Sequence, residues 1–273
     1  EHQQELARIA GFMHDIGNAI NRTHHAELGA LLANDILKQT DMPMADRIAV
    51  IAAIGQKVLP AGFESLELNR RGITSCHSDD YCVFRQIPWQ TVIDAYRELE
   101  AEGALTVRVR EQCNLTTVPD LMEFLSTDHP ATDRFSMGPL KLLGDGALGA
   151  RTAFLSRPYA DEPGTRGLSV FTGAQFDELI GTAHRHGMQV AVHCIGDACL
   201  DLVLDAIEKA QAEHPRADAR HGIVHCQITR PDQLERMAKL NLHVYAQSIF
   251  LDYDLHIVED RVGKELAESS YSW

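Results

Sequence analysis

Apolar residues recur at three- and four-residue spacing through the first 56 positions, in ELARIAGFMHDIG, HAELGALLANDILKQ and DRIAVIAAIG. That period predicts amphipathic helices, and no strand-like run interrupts them. The pattern breaks near Gln56, where KVLPAGFE begins. From residue 72 onward, short β-type runs alternate with helix-type segments. The runs are GITSCHS (72–78), LTVRVR (105–110), PLKLL (139–143), MQVAVHCI (188–195), GIVHC (222–226) and LHVYAQ (242–247). Between them lie TVIDAYRELEAEG, AQFDELIGTAHRHG, ACLDLVLDAIEKAQAEH and PDQLERMAKLN. Glycine or asparagine closes several of these segments before the next strand, as in AEGAL, RHGMQ and KLNLH.

Strands alternating with helices imply a parallel sheet with crossover helices. Six such units are countable, two short of a closed eight-stranded barrel. The expected class is α/β: an incomplete (β/α)8, TIM-like barrel preceded by an all-α fragment. The expected boundaries are 1–56 for the helical fragment and 57–273 for the barrel fragment. One connection is long, RTAFLSRPYADEPGTRG at 151–167. Because it follows a strand, it is read either as a cover over the barrel mouth or as a solvated surface loop.

Composition narrows the function class. Hydrophobic residues make up 45% of the 273, enough for a packed core. A net charge of −14 opposes nonspecific binding to nucleic acid or to an anionic membrane. The longest apolar run, IAVIAAIG, is too short to span a bilayer, and no signal peptide is visible. Six cysteines form no C-x-x-C pair, so they are expected to be buried free thiols in a reducing cytoplasm. The expected partner is a small molecule. Self-association is compatible with the two open sheet edges.

Three residues carry the candidate chemistry. Lys141, His193 and His225 each fall near the end of a β-type run, in PLKLLGDG, VAVHCIGD and GIVHCQ. The carboxyl ends of parallel barrel strands form the mouth where such enzymes do chemistry. Neutral imidazole offers a lone pair at a fixed angle, and zinc takes histidine readily. A histidine on a strand is also a common hydrogen-bonded core residue, so both readings stand. A lysine inside PLKLL would be buried, which is costly for a free ammonium. Two solutions are open: an ion pair with Asp145, or reaction with carbon dioxide to an anionic carbamate that ligates metal.

The segments NRRGITSCHSDDYC, GPLKLLGDGALGARTA, PYADEPGTRG, VAVHCIGD, RHGIVHCQITRPDQLERM and AQSIFLDYD together resemble amidohydrolase family 3. That group contains the N-substituted formamide deformylase-like enzymes. The resemblance covers about residues 69 to 273. It implies a distorted (β/α)8 barrel that hydrolyses an amide or N-formyl C–N bond with a bound divalent metal, most naturally zinc. It also implies Lys141, the lysine of a K-x-x-x-DG motif, as a carbamylated ligand, with His193 and His225 as imidazole ligands. In that chemistry the metal activates a water, and a carboxylate carries its proton to the leaving amine. The family's H-x-H metal pair on the first barrel strand is absent. Its last-strand aspartate is expected beyond residue 273.

A second signature lies in the helical segment. His14 and Asp15 in FMHDIGN, with THHAELGALLANDIL and ADRIAVIAAIG, resemble HD-domain phosphohydrolases. Adjacent imidazole and carboxylate on one helix can both reach a metal, the carboxylate suiting magnesium or manganese, and His24 and His25 are read either as further polar groups near that site or as solvated residues at a helix start. Three functional readings follow. They are a metal-dependent amidohydrolase, an HD-type phosphohydrolase, and a non-catalytic fusion of two incomplete domains.

Overall fold

The computed structural model describes residues 63–83 and 88–272, together with Leu37, Thr40, Met42 and Asp46. His14, Asp15, His24 and His25 lie outside the described residues, as does the junction at residue 56; of the helices expected over 1–56 only Leu37 and Asp46 are described, both in helix. The chain divides into two compact units, one formed by 1–74 with 97–107 and the other by 75–96 with 108–273. In the first unit, helix α1 (Phe63–Arg70) is closed by Leu68, whose carbonyl accepts from the Arg71 and Ile73 amides.

The second unit carries the six-stranded sheet. Its strands are β1 (Ser75–Ser78), β2 (Arg108–Cys113), β3 (Phe135–Leu143), β4 (Val190–Cys194), β5 (Gly222–His225) and β6 (His243–Tyr245). All neighbours are parallel and lie in chain order, so every connection is a crossover of the kind the alternating pattern predicts. The sheet curls until side chains on its two edge strands meet. The rings of His77 on β1 and Tyr245 on β6 lie 5.9 Å apart. This is the half-barrel expected from six of eight units.

Helices α2 (Asp80–Val83), α3 (Trp89–Ala101), α4 (Val118–Leu125), α5 (Gly173–Arg185), α6 (Asp197–Glu213), α7 (Pro231–Lys239), α8 (Ile249–Val262) and α9 (Lys264–Ala267) fill the connections and the end of the chain. The α4 start is set by Thr117, whose side chain accepts from the Asp120 amide, with proline in the first turn. A full capping box of Thr172 and Gln175 starts α5. In α6, Leu200, Val203, Leu204, Ile207 and Ala210 fall on one stripe and are buried. Full burial of Leu204 or Phe176 is worth about 1.5–3 kcal/mol each. Among the described residues, no helix is long and apolar enough to cross a membrane.

Two expected elements shift. The strand read at 105–110 runs from Arg108 to Cys113, and β3 begins at Phe135, upstream of PLKLL. The β2–β3 register explains why the local pattern misleads. Glu111 pairs with Met137, but Cys113 pairs with Leu140, so β3 carries one extra residue there. Gly138 and Pro139 occupy the bulge. Proline has no amide to give the ladder, and a side chain at Gly138 would stand 2.6 Å from the Glu111 carbonyl oxygen. Beyond the bulge, Leu140 and Leu142 join the main core with Val190, Val192 and Phe176, and alternation turns Lys141 to the opposite face.

A second apolar cluster is built by the long segment after β3. Leu148, Ala153, Leu155 and Tyr159 pack with Ile195, Ile228, Val258, Val262 and Leu266, the last three from α8 and α9. Much of the 151–167 stretch is therefore fixed to the body of the unit rather than lying on it as a solvated loop. Among the described residues five cysteines are free thiols, and four of them, Cys113, Cys194, Cys199 and Cys226, are buried. Burial pushes the Cys226 thiol up to about 12, which keeps it unreactive.

Candidate active site

Lys141, His193 and His225 come from three successive strands, at or near their carboxyl ends. Lys141 is 6% exposed, as the apolar PLKLL pattern requires. Its partner is not Asp145. The Lys141 Nζ donates to Asp79 Oδ2 at 2.7 Å, across 62 residues, from the turn that follows β1. The Asn114 side chain donates to the Lys141 carbonyl at 2.9 Å. The second oxygen of Asp79, Oδ1, is buried without a hydrogen-bond partner.

Asp145 does different work. Its side chain is fully buried and accepts three backbone amides: Ile195 at 3.0 Å, Gly196 at 2.8 Å and Phe154 at 2.8 Å. These bonds staple the turn after β4 to the long segment after β3. A neighbouring staple is Asp197, also buried. It takes the Ser156 amide at 2.8 Å and the Arg230 guanidinium at 2.8 Å. The fit is close: a side chain at Gly196 would stand 2.1 Å from the Phe154 carbonyl oxygen.

His193 is held by the Gly146 carbonyl oxygen, 3.0 Å from its Nε2, with Asp145 Oδ1 at 3.4 Å from the same nitrogen. A carbonyl only accepts, so Nε2 carries the hydrogen and Nδ1 is left with the lone pair. This is how metal-bound imidazoles are commonly oriented. It would equally satisfy a core histidine.

His225 reaches His193 by an irregularity. In the β4–β5 register His193 stands beside Val224, and Cys194 beside His225. Strict alternation would turn His225 to the face opposite His193. Instead His225 and Cys226 adopt left-handed backbone, with φ of 72° and 53°. Two consecutive non-glycine residues in that region are strained. The kink breaks the alternation, and the two imidazole rings meet edge to face with centroids 4.5 Å apart. The Phe250 ring covers His225 from α8 at 5.5 Å. Burial, then the nearby His193, pulls the His225 imidazole down to about 4, and a hydrogen bond with Gln247 opposes this in part. It is therefore neutral near pH 7.

Other candidates fall elsewhere. The chain has one H-x-H, His184 and His186, at the end of α5, far along the chain from any first strand. His184 Nδ1 lies 2.8 Å from His221 Nε2, and its Nε2 lies 2.6 Å from the His214 carbonyl oxygen. The Val190 amide donates to His221 Nδ1 at 3.0 Å. That amide fixes the direction of the whole chain: His221 donates to His184, which donates to His214. Both rings are buried, fully satisfied and structural.

The donor set can be weighed against a divalent metal. His193 and His225 fit in kind, as imidazoles in ring contact, and the site beside Lys141 holds an orphan carboxylate oxygen. In number the set is small. Among the described residues, no group of three or more His, Cys, Asp and Glu side chains that could hold a metal is found.

Parallel strands with crossover helices, and a polar cluster at their carboxyl ends, are the layout of a barrel-type α/β protein. Residues 65–273 match the Amidohydrolase family. The chain belongs to that family. It is 33% identical over 215 residues to "Putative amidohydrolase YtcJ" of Bacillus subtilis (strain 168), a match covering 74% of this chain and 37% of the relative. It is 27% identical over 183 residues to the protein LONG AFTER FAR-RED 3 of Arabidopsis thaliana, covering 67% of this chain and 31% of the relative. Among solved structures it resembles an uncharacterized metal-dependent hydrolase from Pyrococcus furiosus, with a TM-score of 0.64 and 30% identity, over 87% of this chain and 45% of that one. A second such hydrolase, from Pyrococcus horikoshii OT3, gives a TM-score of 0.63 and 27% identity over 87% and 44%. The chain thus spans less than half the length of each of these proteins.

Asp79 and Glu111 were not singled out by reading the sequence, and Asp145 was read there only as an ion-pair partner for Lys141. The signal available for Asp145 and Asp79 was their place in GDG and HSDD directly after strands, where a carboxylate can take backbone amides or meet a neighbouring strand.

Proposed function

We propose that this chain carries part of the active site of a metal-dependent amidohydrolase that opens an amide or N-formyl C–N bond of a small molecule. The carrying observation is the meeting of His193 and His225 at adjacent strand ends, with His193 Nε2 committed to Gly146 and Nδ1 left as a lone pair. Family membership and the likeness to metal-dependent hydrolases support the same reading. In this reading His193 and His225 hold a divalent ion, zinc being suited to imidazole donors, with Lys141 beside them. When bound, such an ion polarises a carbonyl and lowers the pKa of water.

The chain's own residues then have separate tasks. Asp145 and Gly146 orient the His193 ring. Phe250 excludes water from one side of His225. Lys141, as an ammonium, is neutralised by Asp79. A carbamate at Lys141 would place two anions against each other, so that form requires the Asp79 contact to open.

Titration calorimetry with zinc tests the reading directly. We expect one ion per chain, bound at least about tenfold more weakly by His193→Ala or His225→Ala, since each removes one ligand. Binding that is absent from the wild-type chain, or undiminished in the double variant, would overturn it. Release of formate from an N-formyl amine by the zinc-loaded chain tests the bond class.

A further inference from the structure

Glu111 has a burial problem that the site as described does not use. It is 0% exposed, on β2 opposite Ser78 of β1. Its Oε1 accepts the Asp80 amide at 2.9 Å, while Oε2 is buried with no hydrogen-bond partner. Among the described residues no lysine or arginine is ion-paired with it. A second carboxylate, Asp80, stands against it instead. Asp80 Oδ2 is already occupied, accepting from Ser78 Oγ at 2.8 Å and Tyr96 Oη at 2.6 Å. Two anions in contact without a cation are unfavourable in a buried place. One proton between them removes both difficulties: it discharges Glu111 and makes the orphan Oε2 a donor toward Asp80.

We infer that Glu111 is a positioning residue, whose acid form bonds both the amide and the carboxylate of Asp80 and so holds the Ser78–Asp80 turn where Asp79 meets Lys141. Asp79 lies between two residues that this network anchors, Ser78 through its hydroxyl and Asp80 through amide and side chain. Among the described residues, the hydrogen bond that the Asp79 side chain accepts is the one from Lys141 Nζ. Burial, then Asp80, pushes the Glu111 carboxyl up to about 8, opposed in part by the Asp80 and Tyr81 amides. Among the described residues, the ionisable groups facing it are Cys76 from β1, Asp80 and Tyr81 from α2, Tyr96 from α3 and Cys113 further along β2. None is a cation. The inference rests on the reading that Lys141 belongs to the site.

The test compares Glu111→Gln with Glu111→Ala in the full chain. Glutamine is a neutral isostere of the acid form, with a carbonyl for the Asp80 amide and an N–H for its carboxylate. The readout is acylation of Lys141 under native conditions, followed by mass spectrometry, with the exposed Lys209 as internal reference. Wild type and Glu111→Gln should modify Lys141 equally slowly. Glu111→Ala should speed it about tenfold or more, the scale of one lost buried hydrogen bond. A fall in stability alone would not move this ratio to Lys209. Stability against pH adds a second readout. The folded acid has its pKa raised, so its contribution is full below the unfolded value and lost as pH rises through about 8. Glu111→Gln should abolish that decline.

Equal damage from Gln and Ala would mean the carboxylate is required and would overturn the inference, as would Lys141 reactivity unchanged in a folded Glu111→Ala chain. If the alanine variant does not fold, the glutamine comparison still decides. No metal is needed for these measurements. Failure of zinc binding would therefore strike the proposed function and leave this result to stand by itself.

Discussion

Replacing Asp145 by alanine should be among the most damaging single changes to the second unit. The carboxylate is fully buried and accepts amides from Phe154, Ile195 and Gly196 at 2.8, 3.0 and 2.8 Å. Alanine leaves all three donors inside without an acceptor. Each buried unsatisfied group costs about 1–3 kcal/mol, giving roughly 3–9 kcal/mol in sum. A water admitted to the hole would satisfy one or two donors and hold the loss near the lower end, about 3 kcal/mol. Even that is a large share of a typical folding free energy of about 5–15 kcal/mol. Asparagine should fall between, since it keeps one acceptor oxygen but turns an N–H donor toward backbone donors. The assay is guanidinium denaturation near pH 7, paired with limited proteolysis of the 151–167 segment. That segment should become cleavable in Asp145→Ala under conditions where the wild type is resistant. A variant within about 1 kcal/mol of wild type, with the segment still protected, would refute the staple argument.

The remaining expectations concern the same scaffold. Gly196→Ala should destabilise by about 2–4 kcal/mol, because its new carbon would press on the Phe154 carbonyl oxygen at 2.1 Å; thermal unfolding measures it, and an unchanged midpoint would count against so close an approach. The His184–His221 pair should stay neutral well below ordinary histidine. Burial, then its histidine neighbour, takes His221 down to about 3, and burial lowers His184 as well. A depressed folded pKa means the stabilisation is present above about 6.5 and is lost as pH falls toward 3. Nitrogen-15 NMR should find His221 as the Nε2–H tautomer at pH 5, and a ring titrating near 6.5 would contradict the buried chain of bonds.

The alternation of strand-like and helix-like runs was legible in the sequence, and with it the parallel order of all six strands. So was the placing of Lys141, His193 and His225 near strand ends. These are local properties: period, turn residues and the apolar content of short windows. The register was not legible, because the Gly138–Pro139 bulge acts on a neighbouring strand. Nor was the route by which the two histidines meet. Their residues are out of step by one place in the sheet, and left-handed backbone at His225 brings the rings together.

Read alone, then, the sequence determined the architecture and the residue types at the mouth, since both follow from spacing along the chain. Tertiary structure alone decided the partners. Lys141 found Asp79 instead of Asp145, although Asp145 is nearer in sequence, because Asp145 was claimed by three amides. A buried charge or donor is satisfied by whichever group packing brings within about 3 Å, and that distance is set by the fold rather than by position in the chain.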